Sequence, residues 1–158
     1  MTSATVTVSA AGPADLDAFV ASVTGLFAED AGTHDAAMDV SWPVREGRDY
    51  YGGLLDDRTC LLAVARDADR VVGHLVGKLL EPDSLRLHRI AVLESMRVDP
   101  AHRGRGVGSR LIDHFFGWAR EREAQQASVS AFAANTGAQR LYQRHGFTPM
   151  TITLRAPL

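Results

Sequence analysis

The spacing of apolar positions changes several times along the chain, and each change marks an element. Thr5-Val6-Thr7-Val8 alternates as a strand does. Gly12-Pro13 followed by Asp15 and Asp17 predicts a helix start, because proline suits the first turn and carboxylates favour the positive end of the helix dipole. Leu16, Phe19, Val20, Val23 and Phe27 carry that helix on as one apolar stripe, which fades at Glu29-Asp30-Ala31-Gly32. Across residues 33–58 the periodicity is poor, with Trp42-Pro43 and Tyr50-Tyr51-Gly52-Gly53 as landmarks, and the reading is loop plus a short helix.

Two β-like runs follow at residues 60–65 and 71–79, joined by Asp67-Ala68-Asp69-Arg70, whose composition predicts an antiparallel hairpin. Residues 87–98 form a third extended run, ended by Asp99-Pro100, and Val107, Leu111, Phe115 and Trp118 then repeat at helical spacing to about Glu123. Residues 127–132 read as another strand. Thr136-Gly137-Ala138-Gln139 matches a capping box opening a helix with Ala138, Leu141, Tyr142 and His145 on one face and Gly146 at its close. Residues 147–154 alternate weakly around Pro149 and predict the last strand material. No repeat or linker interrupts the chain, so residues 1–158 are expected to form a single domain in which strands and helices interleave around one mixed sheet.

Composition narrows the class. At 158 residues, 46% hydrophobic and 23% charged with a formal net charge of −2, the chain can bury a sizeable core. No apolar run approaches the ~18 residues of a membrane span. Met1-Thr2-Ser3-Ala4-Thr5-Val6 lacks the basic start and apolar run of a secretory signal, and the single Cys60 cannot form an internal disulfide, so a cytoplasmic location is expected. Six scattered histidines without an H-x-x-x-H pair predict no metal site. The charge is unevenly distributed: residues 1–85 carry 14 acidic against 6 basic side chains, and residues 86–158 carry 5 against 11. This suits a second half that meets an anion and a first half that meets something neutral or cationic, although a solvated acidic face would look the same.

Arg103-Gly104-Arg105-Gly106-Val107-Gly108-Ser109 lies between a predicted strand and the first turn of a helix. There, free N–H groups and the helix dipole favour an anion, glycines let it approach, and arginines add charge, so a diphosphate is the natural guest. The loop is not a Walker A motif, because Gly108 is followed by Ser109-Arg110 and no lysine is near. It misses the Rossmann fingerprint too, which would need Gly or Ala where Ser109 or Leu111 stands.

Arg103-x-x-Gly106-x-Gly108 resembles the R/Q-x-x-G-x-G/A acetyl-CoA loop of the GNAT superfamily of N-acetyltransferases, and a strand ending Glu94-Ser95-Met96-Arg97-Val98-Asp99-Pro100 precedes it. Downstream, residues 135–147 match the family's N-x-x-A-x-x-x-Y-x-x-x-G-F, with Asn135, Ala138, Tyr142, Gly146 and Phe147 in place. The resemblance covers about residues 60–150. It implies a mixed α+β GNAT fold: a mostly antiparallel twisted sheet of about six or seven strands with helices on both faces, in the order β-α-α-β-β-β-α-β-α-β-β.

It further implies acetyl-CoA as cosubstrate. Backbone groups of Met96, Arg97 and Val98 would pair with pantetheine, amides of Gly104, Arg105, Gly106, Val107, Gly108 and Ser109 would hold the pyrophosphate, and Arg103 and Arg105 would neutralise it. Asn135 would bond the pantetheine arm, or else simply caps a helix. Tyr142 is the candidate acid for the departing thiolate, with a buried, satisfied tyrosine as the plain alternative. Acetylating an amine of pKa about 10 needs a base. Glu94 is the candidate, four residues before Val98 on what the spacing reads as the same strand face, about 13 Å away, unless it is only an exposed strand carboxylate. Glu29, Asp30, His34 and Asp35 form a cluster that could bind a cationic acceptor or merely solvate a loop. The function implied is direct acetyl transfer to a primary amine of a small cationic acceptor. A protein or peptide amine, or a non-catalytic acyl-CoA sensor, is the alternative. No metal, nucleic acid or membrane is expected, and a monomer or homodimer is.

Overall fold

The computed structural model describes residues 5–158; Met1 to Ala4, part of the stretch read for a leader, lie outside the described residues. Five strands form one sheet in sequence order: β1 (Thr7–Ala10), β2 (Cys60–Asp67), β3 (Arg70–Leu80), β4 (Ile90–Val98) and β5 (Gln126–Val129). Neighbours from β1 to β4 run antiparallel, and β5 runs parallel to β4. A 3₁₀ turn, Pro13–Asp15, leads into α1 (Leu16–Leu26), which passes through a π-helical turn, Phe27–Ala31, into the short α2 (Gly32–His34). Then come α3 (Trp42–Gly52), α4 (Val107–Glu121) between β4 and β5, and α5 (Thr136–Arg144). Among the described residues no helix is long and apolar enough to cross a membrane.

The predicted stripes pack as their periodicity demands. Leu16, Phe19 and Val23 of α1 join Tyr51 of α3 over Leu62, Val64 and Val76 on one face of the sheet. On the other face Val107, Leu111, Ile112, Phe115 and Trp118 of α4 cover Leu61, Ala63, Leu75 and Leu93. Leu111, Ile112 and Phe115 are fully buried, which stabilises the fold by roughly 1.5–3 kcal/mol per side chain. Phe115 comes so close to β3 that a Cβ on Gly77 would lie 3.0 Å from its ring, so α4 could not settle this low over any larger residue.

One irregularity shapes everything downstream. On β3 Val76 faces Ser95 and Gly77 faces Leu93, which leaves Glu94 as an extra residue in β4. Such a bulge breaks the alternation of faces. Leu93, Met96 and Val98 pack toward α4, whereas Glu94 meets Lys78 and Ser95 meets His74 on the α1–α3 side. Glu94 and Val98 therefore do not share a face, contrary to their even spacing. Pairing with β5 also stops at this point, running only from Ile90–Gln126 to Leu93–Val129.

The mixed α+β class stands, but the sheet has five strands among the described residues rather than six or seven, and the order is β-α-α-α-β-β-β-α-β-α. Residues 147–158 form no strand. Their alternation meets no sheet edge, and Met150, Ile152 and Leu154 stand 97%, 84% and 87% exposed. The α5 cap also lies one residue before the predicted box, because the Asn135 carboxamide oxygen accepts the Ala138 N–H at 3.1 Å.

Candidate active site

Beyond Leu93 the outer edge of β4 has no strand beside it among the described residues. The Asp99 N–H donates to Val72 O on β3 at 2.8 Å, so the backbone groups of Val98 point to the free edge, and alternation turns those of Met96 the same way. That edge runs into the loop. Pro100–His102 makes one 3₁₀ turn, after which Gly104 and Gly106 adopt φ of +74° and +80°. Only glycine takes such angles without strain, and no atom lies within 4 Å of where either Cβ would be, so the surface over the loop is open.

Gly106 is the N-cap of α4, yet no side chain caps this end, and the first helical bond there runs from the Arg110 N–H to Gly106 O. The amides of Val107, Gly108 and Ser109 thus face outward with the positive end of a 15-residue helix behind them. Gly108 is also an anchor: a Cβ there would meet Leu141 of α5 at 3.2 Å and lie near Met96 and Val98. Ser109 Oγ pairs with His145 Nε2 at 3.0 Å, which ties α4 to α5 and leaves only the Ser109 amide for the loop.

The arginines divide. Arg103 donates through Nε to Val98 O at 2.9 Å and through Nη2 to Glu29 at 2.6 Å, bridging the end of β4 to the π turn. Arg97, reaching across Gly25 of α1, also binds Glu29 at 2.8 Å and Asp99 at 2.8 Å. Held chiefly by Arg97 and also by Arg103, the Glu29 carboxyl lies below the usual carboxylate range. Glu29 is therefore not an open carboxylate waiting for an acceptor. Arg105 is exposed and has no ion-pair partner among the described residues, so it is the loop guanidinium left for an anion.

Asp35 departs from expectation in the same way. Arg155 binds it at 2.8 Å and, as the leading cause, lowers its pKa. Of the three acidic side chains read as an acceptor site, only Asp30 lacks an arginine, and the π turn carries it to α5. There its Oδ1 accepts from Asn135 Nδ2 at 3.2 Å and lies 3.8 Å from His34 Nε2. Asn135 thus spends its oxygen on the α5 cap and one amide hydrogen on Asp30, with one hydrogen remaining. Seven residues on, Tyr142 shares the Asn135 face of α5. Burial, reinforced by the Asp30 charge, pushes its phenol up to about 12, so it keeps its proton at neutral pH.

Glu94 sits elsewhere. Its carboxylate is 3.3 Å from Lys78 Nζ, which donates to Tyr50 Oη at 2.7 Å, and these contacts hold Lys78 protonated. The pair is thus tied to Tyr50 of α3. A groove of about 460 Å³ opens on the other side of Arg97 and Asp99, along the 3₁₀ turn and α1, but the Asp15 and Arg66 side chains in its wall already bind each other at 2.5 Å.

Sequence reasoning missed a buried chain of polar groups under β4. His74, fully buried in β3, bonds Ser22 Oγ of α1 through Nδ1 at 2.6 Å and Ser95 Oγ through Nε2 at 2.8 Å. It lies inside an otherwise apolar strand run, with partners 52 and 21 residues away, so no local pattern announces it.

An open helix start with left-handed glycines, beside an unpaired strand edge, offers outward N–H groups that suit an anion at the end of an extended molecule. Residues 26–147 match the model of the acetyltransferase (GNAT) family, and the chain belongs to that family, whose acetyl donor is acetyl-CoA. It is 32% identical over 102 residues to a streptothricin acetyltransferase of Streptomyces lavendulae, a match covering 65% of this chain and 51% of that protein, so it spans about half the length of that relative. The fold resembles a predicted acetyltransferase of Clostridium acetobutylicum solved with acetyl-CoA (15% identity, TM-score 0.76, 97% of this chain and 96% of that one). It also resembles an aminoglycoside acetyltransferase from an uncultured soil metagenomic sample in complex with sisomicin (17% identity, TM-score 0.72, 97% and 96% covered).

Proposed function

We propose that this protein transfers the acetyl group of acetyl-CoA directly to a primary amine of a small cationic acceptor. The observation that carries this reading is the uncapped start of α4 lying beside the free edge of β4. Amides from Gly104 to Ser109, with Arg105, take the pyrophosphate, while the Val98 N–H and the Met96 carbonyl pair with the amides of the pantetheine arm, the Val98 carbonyl being held by Arg103. Arg103 acts by fixing the end of β4 through Glu29. The remaining Asn135 amide hydrogen is the one available to the arm.

The Met96 N–H, two residues further from the loop on the same edge, polarises the thioester oxygen as negative charge builds there. Tyr142 offers an O–H to the departing sulfur. An ordinary thiol titrates near about 8.5, so outright transfer from a phenol at about 12 would be uphill by about 5 kcal/mol. Tyr142 therefore acts first as a hydrogen-bond donor, its proton replaced, as it leaves, by one shed from the acceptor nitrogen. Asp30 supplies the negative charge on the acceptor side, and Glu94, neutralised by Lys78, contributes at most at the α3 rim. Similarity to a streptothricin and an aminoglycoside acetyltransferase supports a small-molecule acceptor.

A thiol-release assay with acetyl-CoA and a panel of mono- and polyamines, carboxylate-rich amines and peptides tests this. Release dependent on the cationic small amines is expected. Acetyl-CoA binding without release by any amine would leave a binding module, and release with peptides alone would overturn the acceptor class.

A further inference from the structure

We infer that His34, oriented by Asp30, is the general base that deprotonates the acceptor ammonium, rather than the β4 carboxylate Glu94. The inference rests on the proposed acetyl transfer and names the base within it. His34 is the last residue of α2 and reaches the Asp30 Oδ1 through Nε2 at 3.8 Å. Its ring leans on Phe132, with centroids 5.2 Å apart, three residues beyond Val129, where the β4–β5 pairing ends. Asp30 is held in turn by Asn135, which shares a helical face with Tyr142. Contacts thus run from Asn135 through Asp30 to the imidazole, and the Asp30 charge is felt at the Tyr142 phenol. The side chains of His34 and Asp30 are only 23% and 27% exposed, enough for an amine to reach and too little for free rotation.

The chemistry follows from the two ring nitrogens. The Asp30 charge, 3.8 Å from Nε2, favours the neutral tautomer with its hydrogen on Nε2, which leaves the Nδ1 lone pair to act as the base. Nδ1 takes one proton from R–NH₃⁺. The freed nitrogen pair attacks the thioester carbon, the C–N bond forms, and the C–S bond breaks with its electron pair leaving on sulfur. A second proton from the nitrogen reaches sulfur by way of Tyr142, so an amide, a thiol and an imidazolium result, and the imidazolium returns its proton to water. Glu94 is worse placed, because Lys78 occupies its carboxylate and the bulge aims it toward α3. The charged groups at His34 are Asp30 on the π turn and Asp35, its neighbour in the chain, which Arg155 neutralises, and Asp30 in turn acts on the Tyr142 phenol of α5.

The test compares His34→Gln, His34→Ala and Glu94→Gln with the unmodified protein, using the best amine of the panel. His34→Gln should lower kcat by about a hundredfold or more at neutral pH, leave acetyl-CoA affinity unchanged, and make the rate climb about tenfold per pH unit as free amine accumulates. Added imidazole should restore part of the His34→Ala rate. Glu94→Gln should keep the pH profile of the unmodified protein. An unchanged pH profile in His34→Gln, failure of imidazole rescue, or loss of the acidic limb in Glu94→Gln would each overturn the inference while acetyl transfer stands. If the unmodified protein acetylates no amine, the underlying reading fails instead.

Discussion

Acidifying the protein should cost it stability through one residue, His74. The ring is fully buried, lies 5.1 Å from the Phe19 ring and is bonded at both nitrogens, and burial, with Arg97 adding to it, pushes its pKa down to about 3. In the unfolded chain an ordinary histidine titrates near 6.5. Between these values the unfolded state binds a proton that the folded state refuses, so stability is fully present above about pH 6.5 and falls as pH drops toward 3. At about 1.36 kcal/mol per pH unit the loss reaches about 2 kcal/mol at pH 5. In His74→Gln this pH-dependent loss disappears, although the variant starts about 1–3 kcal/mol less stable at pH 7.5, because a buried hydroxyl of Ser22 or Ser95 loses its partner. Urea unfolding of both proteins at pH 7.5 and 5.0 reads the difference directly, since the remaining histidines titrate alike in each. If both proteins lose the same stability between these pH values, His74 is not held neutral by burial and the reasoning is refuted.

Gly106→Asp and Gly106→Asn should both fold, since nothing lies within 4 Å of the added Cβ and both residues tolerate the left-handed region at about 1–2 kcal/mol. Only the aspartate should weaken acetyl-CoA binding, by about a hundredfold or more in calorimetry, and equal losses would mean that charge at the helix start is irrelevant. Tyr142→Phe should reduce turnover by about ten- to a thousandfold at unchanged acetyl-CoA affinity; full turnover would show that sulfur leaves unassisted. Asp30→Asn should lower kcat/KM for the acceptor by about tenfold or more, whereas Glu29→Gln should change the acceptor KM less than about threefold even at low salt, because Arg97 and Arg103 already neutralise that carboxylate. The reverse ranking would put the acceptor at Glu29.

What the sequence disclosed was what depends on near neighbours in the chain. The α1 and α4 stripes repeat every three or four residues, and the Gly/Arg loop advertises itself within seven positions, so both were legible. The bulge was not, because Glu94 becomes an extra residue only when β4 is counted against β3. That count reversed the face assigned to Glu94 relative to Val98. Glu29 looked like an open acidic group until the fold brought Arg97 and Arg103 to it across 68 and 74 residues. Asp30 lay in the same run and received no arginine, a distinction set by the π turn, which no local pattern in the run discloses. The final alternation misled for a related reason: residues 147–154 have the period of a strand, but a strand also needs an edge to join.

The most direct test of the central claim is mass analysis of the acceptor after incubation with the protein and acetyl-CoA. The account predicts one acetyl group on an amine nitrogen of a small cationic acceptor, formed in step with free CoA and lost together with acetyl-CoA binding in Gly106→Asp. An acceptor recovered unmodified while acetyl-CoA stays bound, or while it is merely hydrolysed, would contradict it.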